Sequence, residues 1–277
     1  MIQPLAPGLY IVATPIGNLG DITARAADTL CRVDRILAED KRVTAKLLAH
    51  LGAKAPMTAY HDHSDDDLRQ RILAEALIKS IALVSDAGTP LISDPGYKLV
   101  RAARAAGIAI HTLPGACAAI AALTLAGLPT DRFLFMGFLS AKAKARSEAI
   151  AEVAALRASL VLYESGPRLH DSLAALGEGL GDRPAAVIRE ISKLHEECVT
   201  GSLTELSARY ADAPPRGEIV IVIAPPPERS EASYGDLDTA LTEALSRLSP
   251  SRAAAEVAAA LGIARKRAYA RALELAQ

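Results

Sequence analysis

Apolar residues recur along this chain in two alternating rhythms. Short runs rich in aliphatic and β-branched residues predict strands at residues 9–14, 35–38, 81–85 and 108–113. Between them, helical spacing of apolar positions predicts helices over 22–31, 43–51, 66–79 and 97–106. In the third of these, Leu68, Ile72 and Ala76 repeat at i, i+4 with Leu73 and Leu77 beside them, giving one apolar stripe. Asp65, Asp66 and Asp67 at its start suit the positive end of a helix dipole. Strand, helix, strand repeated in this way predicts an α/β domain with a largely parallel sheet. A second series follows, with strands over 133–138, 159–164, 185–191 and 218–223 and helices over 143–156 and 169–176.

Residues 105–130 contain no Asp, Glu, Lys or Arg, a stretch long enough to cross a bilayer. His111, Thr112, Pro114 and Gly115 interrupt it, so it divides better into a strand, a Pro-Gly turn and a buried Ala-rich helix over 116–126. No membrane partner is expected. Ala224 and the three prolines 225–227 read as a linker. Beyond it the pattern is helical over 237–248, 251–261 and 264–275, with breaks at Ser249-Pro250 and Gly262. The expected organisation is therefore an N-terminal α/β domain (1–114), a C-terminal α/β domain (115–227) and a helical extension (228–277).

Composition narrows the class. With 277 residues, 51% of them hydrophobic and 23% charged, the chain has the makeup of a soluble globular protein with room for two domains. A net charge of −1 gives no global attraction to nucleic acid or membrane, so such a partner must meet a local patch. Trp is absent and aromatics are only 4%, which leaves few platforms for stacking bases. Cys31, Cys117 and Cys198 are far apart without metal spacing and read as free thiols of a reducing compartment, the cytoplasm. The N-terminus lacks the basic segment of a secretory signal.

Four loops carry the candidate chemistry, each at the exit of an expected strand: residues 14–21, 84–96, 113–117 and 163–168. Ligands of open α/β sheets bind beyond the carboxyl ends of strands. Gly allows close backbone approach and Pro fixes φ, so such loops can present main-chain groups in a rigid array. Taken singly, each is also an ordinary turn. The first has Gly17-x-x-Gly20 but no G-x-G-x-x-G, and no Walker A pattern occurs anywhere.

Taken in order, ATPIGNLGDIT (13–23), AEDKR (38–42), LVSDAGTPLISDPG (83–96), LPGACA (113–118), FLFMGFL (133–139), YESGPRL (163–169), REISKLHEE (189–197) and RGEIVIVI (216–223) resemble the tetrapyrrole-methylase superfamily. More narrowly, they are similar to its bacterial 16S ribosomal RNA cytidine-2′-O-methyltransferase branch. The resemblance spans residues 8–224 and, more loosely, the tail. It implies two α/β domains with S-adenosylmethionine in the cleft between them, a homodimer, and a decoding-centre cytidine ribose of the small ribosomal subunit as acceptor. Carried over by position, it assigns Asp86, Ala87, Gly88, Thr89, Pro90, Gly115, Ala116, Cys117, Ala118 and Tyr163 to the cofactor, with Asp86 as a polar contact to the nucleoside. Ile16 and Gly17 would sit near the methionine end or the acceptor. Two departures stand out: the branch often has a histidine in the segment that here reads Glu164-Ser-Gly-Pro-Arg168, and often Ser where this chain has Cys117.

Methyl transfer to a ribose hydroxyl needs a proton acceptor. The titratable candidates are Glu39, Asp40, Glu164, Glu190, Lys193, His195 and Glu196, and Lys193 could serve only with a depressed pKa. Each is equally readable as a structural ion pair or a solvated residue. His61-Asp62-His63 beside carboxylates has metal-binding spacing, but the segment precedes a helix that Ser64 or an Asp would cap, so no metal is assigned. Between Arg247 and Arg271 the tail carries six basic residues against one acid, Glu256, and its helix–glycine–helix cadence resembles a helix-turn-helix unit. Arg252, Arg265, Lys266 and Arg267, with Arg168 from the fourth loop, are its RNA-contact candidates; packing or a dimer contact is the competing use. Two other functions remain open, a tetrapyrrole methyltransferase and a non-enzymatic RNA-binding protein. The first is disfavoured because that branch carries a Gly-x-Gly-x-Gly-Asp-Pro-like loop where this chain has Pro15-Ile16-Gly17-Asn18.

Overall fold

The structure, a computed structural model, describes residues 4–61, 64–227 and 234–276. It comprises two compact units, Met1–Pro226 and Pro227–Gln277. In the first unit, β1 (Gly8–Val12), β2 (Arg35–Ala38), β3 (Met57–Ala59), β4 (Ser80–Val84) and β5 (Ile110–Leu113) form a sheet in the order β3-β2-β4-β1-β5. Every pairing in it is parallel, so both faces need cover. Alternation of strand side chains supplies two apolar faces. Tyr10, Val12, Ile36 and Val84 meet Ala26 and Leu30 of α1 (Ala24–Arg32) and Leu47 of α2 (Lys41–Leu51). Leu9, Leu37, Ile81 and Leu83 point the other way, against Ile72 of α3 (Asp66–Ala76) and Leu99 of α4 (Tyr97–Ala105).

Local polar chemistry sets the boundaries. Thr23, Asp40 and Asp65 cap α1, α2 and α3 by accepting from the backbone N–H groups of Ala26, Arg42 and Leu68. The third helix ends at Ala76, short of the expected Lys79. The Asp34 carboxylate accepts from the Ser80 backbone N–H (2.8 Å) and hydroxyl (2.7 Å). That fixes the start of β4 and leaves Leu77 and Ile78 in an exposed turn.

The second sheet lies in the same unit. It contains β6 (Phe133–Phe138), β7 (Ser159–Ser165), β8 (Pro184–Arg189), β9 (Glu197–Ser202) and β10 (Glu218–Ile223) in the order β6-β7-β10-β8-β9. Only β6 and β7 pair in parallel; the other neighbours are antiparallel. Helix α5 (Ala118–Ala126) lays Ala119, Ala122 and Leu123 on Val161, Ile188 and Val220. This is the helix within the uncharged stretch, and its small residues let it lie close to the sheet. No helix of the described residues is long and apolar enough to cross a membrane. Helices α6 (Ala143–Val153), α7 (Leu169–Leu180) and α8 (Leu203–Arg209) cover the opposite face through Ile150, Leu173 and Leu206. At Gly137 (φ 64) the β6 register shifts, turning Phe138 outward.

The second unit holds α9 (Tyr234–Leu245), α10 (Pro250–Leu261) and α11 (Arg265–Leu275). Pro250 opens α10 and Gly262, at φ 65, closes it. Leu237, Leu241, Ala253, Val257, Ala268 and Ala272 form its core. Arg271 holds Asp238 through two hydrogen bonds of 2.6 Å, locking α11 to α9.

Candidate functional site

Parallel pairing brings the loops after β1, β4 and β5 to one edge of the first sheet. They are stitched together there. Thr14 and Gly88 exchange backbone hydrogen bonds of 2.8 and 3.1 Å, with Gly88 at φ 82. The Thr89 hydroxyl donates to the Ala116 carbonyl at 2.9 Å. From the other sheet, the Tyr163 hydroxyl accepts from the Ala119 backbone N–H at 3.2 Å, tying the end of β7 to the start of α5. Four described non-glycine residues have left-handed backbone: Leu91 and Ser93 in the loop after β4, Glu190 and Ser192 in the loop after β8. Such strain persists where surrounding contacts over-determine it, and it concentrates at functional sites.

Between these loops lies a cavity of about 310 Å³, walled from both halves of the unit. Of the residues expected from sequence, Ile16, Ala87, Gly88, Thr89, Cys117, Ala118 and Tyr163 line it. Gly17 and Asp86 instead line a second cavity of about 460 Å³, together with Thr44 and Lys46 of α2 and Lys193. Pro90 is buried, Ala116 is the acceptor for Thr89, and Gly115 packs on Ala13, where an added Cβ would lie 2.9 Å from the Ala13 methyl. Sequence reasoning missed Asp94, Phe138, Ile191 and Gly217–Val220 on the first cavity. The signal was present for some: Asp94 sits inside the quoted 84–96 loop, and Glu218 opens a run read only as a strand.

The charges are unevenly placed. Burial pushes the Asp94 carboxyl up to about 6, helped by the nearby Glu39 carboxylate and opposed by a hydrogen bond from Ser85. Burial likewise raises the Tyr163 phenol to about 12, so it remains a neutral hydroxyl. Asp40 is held down at about 2 by the Arg42 guanidinium and backbone, as the cap of α2. Asp86 Oδ1 accepts from the Asp40 backbone N–H at 2.9 Å, joining the β2 and β4 exits.

The remaining proton-acceptor candidates separate clearly. Glu164 is 3% exposed and accepts from Ser172 (2.5 Å) and from the Ser165 backbone (2.8 Å). Arg168 turns inward, donating to the Leu139 carbonyl at 2.6 Å and pairing with Glu164 at 3.5 Å; an RNA contact through Arg168 would have to break both. His195 and Glu196 are exposed, and Glu196 accepts from the Ser192 backbone. Lys193 does not meet its condition. Burial pulls its ammonium down, but hydrogen bonds to Glu218 (2.8 Å) and Glu190 (3.0 Å) outweigh this and hold its pKa above the usual value. It is a fixed cation, not a base. Glu190, bonded to the Glu218 backbone N–H and to Lys193, is held below the usual carboxylate range.

Lys193 also lies across Gly17, where a Cβ would overlap its Cγ and sit 3.1 Å from the Ile191 carbonyl. Ser192 donates to Asp21 beside it. The 190–193 loop thus clasps the first loop and closes the second cavity. In the helical unit, Arg252, Arg265 and Lys266 are exposed and Arg267 is half-buried, while Arg247 and Arg271 are neutralised by Glu256 and by Asp238 and Glu274. Asp62 and His63 of the His-x-His segment lie outside the described residues. No cluster of three potential metal ligands occurs among the described residues.

A parallel sheet joined to a mostly antiparallel one, with glycine loops of both around one cavity, defines the tetrapyrrole-methylase fold. Residues 8–207 match the family described as Tetrapyrrole (Corrin/Porphyrin) Methylases, and the chain belongs to that family. Residues 231–276 match the family described as RsmI C-terminal HTH domain. The chain is 57% identical over 273 residues to Ribosomal RNA small subunit methyltransferase I of Erythrobacter litoralis, covering 99% of this chain and 97% of that protein. It is 44% identical to the protein of the same name from Mesorhizobium japonicum, covering 99% of this chain and 94% of that one. Among solved structures it resembles a diphthine synthase (TM-score 0.62, 17% identity, 78% of this chain and 89% of that chain). A cobalt precorrin-4 methyltransferase is similar too (TM-score 0.59, 17% identity, 78% of this chain and 94% of that chain). At that identity these two likenesses speak for the fold alone.

Proposed function

We propose that this protein is an S-adenosylmethionine-dependent methyltransferase that modifies a cytidine ribose 2′-hydroxyl in the decoding centre of 16S ribosomal RNA. It would act on the small ribosomal subunit, in the cytoplasm, as a homodimer. Residues 1–114 and 115–227 serve as its two α/β domains and 228–277 as an extension that meets RNA through Arg252, Arg265, Lys266 and Arg267. The observation that carries this reading is the 57% identity over 99% of the chain with a protein named for small-subunit ribosomal RNA methylation.

The first cavity fits the cofactor. At about 310 Å³ it is at the lower end of ligand sites, which start near ~300 Å³. At Gly88 the backbone φ of +82 strains any side chain, and an added Cβ would also come within 3.3 Å of the Ile16 side chain. Apolar walls from Phe138, Ile191 and Val220 suit an adenine ring, and Asp94 suits a cationic or hydroxyl group. When bound, S-adenosylmethionine supplies a sulfonium methyl group. The protein's own part is placement: Gly88 and Thr89 from one half, and Cys117, Ala118 and Tyr163 from the other, fix the donor. The clasp of Lys193 on Gly17 shapes the neighbouring space. Holding donor and acceptor in line contributes roughly 7–11 kcal/mol of barrier reduction in favourable cases.

Labelled S-adenosylmethionine incubated with small subunits lacking the modification tests this. One methyl per particle is expected, at a ribose that then resists alkaline cleavage, with slower transfer to protein-free 16S RNA. No transfer to either RNA, or transfer to a precorrin instead, would refute the proposal.

A further inference from the structure

The two cavities share a wall. Among the described residues Ile16, Ala87 and Glu218 line both, and of these Glu218 alone is titratable. Methyl transfer requires the acceptor oxygen to face the donor across such a boundary, with a proton acceptor at hand. Resting on the function proposed above, we infer that Glu218 is the catalytic residue that takes the proton from the acceptor hydroxyl, and that the second cavity seats the acceptor nucleotide.

Glu218 begins β10, so its backbone is fixed by the sheet; the residue lines both spaces and its side chain is 76% exposed. Lys193 Nζ donates to Oε2 at 2.8 Å and thereby orients the carboxylate. Oε1 makes no hydrogen bond among the described residues and is open to a proton. The other carboxylates are differently placed. Asp94 and Glu164 line only the donor cavity and Asp86 only the acceptor cavity, where one of its oxygens is bonded to the Asp40 backbone. The second cavity carries Lys46, and Lys193 already paired with Glu190 and Glu218, beside the carboxylates of Asp86 and Glu218; the exposed Lys46 is the cation suited to a nucleotide's phosphate. In the step, the acceptor oxygen forms a bond to the methyl carbon. The carbon–sulfur bond breaks with its electron pair returning to sulfur, and the hydroxyl proton passes to Glu218 Oε1.

Glu218→Gln and Glu218→Asp, compared with wild type in single-turnover methylation of small subunits, test this. S-adenosylmethionine affinity is measured by calorimetry on the same samples. The inference expects Glu218→Gln to lose about 100-fold or more in the transfer rate. It expects affinity for the donor within about threefold of wild type, and partial recovery in Glu218→Asp. Wild-type transfer with Glu218→Gln within threefold of it overturns the inference alone. A wild type that binds the donor yet methylates no ribosomal RNA overturns the proposed function as well.

Discussion

Asp94→Asn isolates the cost of placing a carboxyl in the first cavity. The carboxyl is raised from 3.8 to about 6, chiefly by burial and then by Glu39. Because the folded protein binds this proton more tightly than the unfolded chain, the associated stability is fully present below about pH 4 and is lost as pH rises through about 6. Two units correspond to about 3 kcal/mol at ~1.36 kcal/mol per unit. The group is partly open to solvent, and screening reduces the expected effect to about 1–2 kcal/mol. Asparagine keeps the shape and an oxygen for the Ser85 hydrogen bond while removing the charge. Urea unfolding at pH 7.5 is expected to give a variant about 1–2 kcal/mol more stable than wild type with an unchanged m-value; at pH 4 the gap narrows. The same variant is expected to bind S-adenosylmethionine more weakly, stability gained where function is lost. A variant no more stable than wild type at pH 7.5 would refute the assignment of a burial penalty to Asp94.

Two further substitutions probe the clasp and the tail. Gly217→Ala places a Cβ 2.6 Å from Glu190 Cδ at a backbone φ of +98, so the Glu190–Glu218 connection must shift; a loss of about 1–3 kcal/mol in thermal or urea stability is expected, and wild-type stability would contradict it. Arg252→Glu with Lys266→Glu reverses two exposed cations of the helical unit; weaker binding to small subunits and a shallower salt dependence are expected, with S-adenosylmethionine binding unchanged, and an unaltered salt slope would remove RNA contact from that face.

The sequence made most strands and helices legible because apolar periodicity is strong where both faces of an element are buried. Residues 35–38 and 218–223 coincide with the mostly buried β2 and β10; residues 133–138 coincide with β6, an edge strand that was legible from its apolar run although it is only partly buried. β3 is a three-residue edge strand without a full apolar face, and β9 is an edge strand whose sequence Glu-Cys-Val-Thr-Gly-Ser mixes polar and small residues without alternation, so neither carried a readable pattern. The end of α3 depended on Asp34, forty-six positions before Ser80. For the site, glycine and proline marked the loops, but spacing could not reveal that Gly88 and Asp86, two residues apart, open into different cavities. Nor could it reveal Glu218, whose position follows from antiparallel pairing of β10 with β7 and β8.

The central claim is that loops from both halves grip one methyl donor. A crystal structure of the protein soaked with S-adenosylmethionine tests it most directly. The ligand is expected in the cavity bounded by Gly88, Cys117 and Tyr163, within hydrogen-bond reach of the main chain of residues 87–89 or 117–118. Density for the ligand on any other surface, or none at millimolar donor, would contradict it.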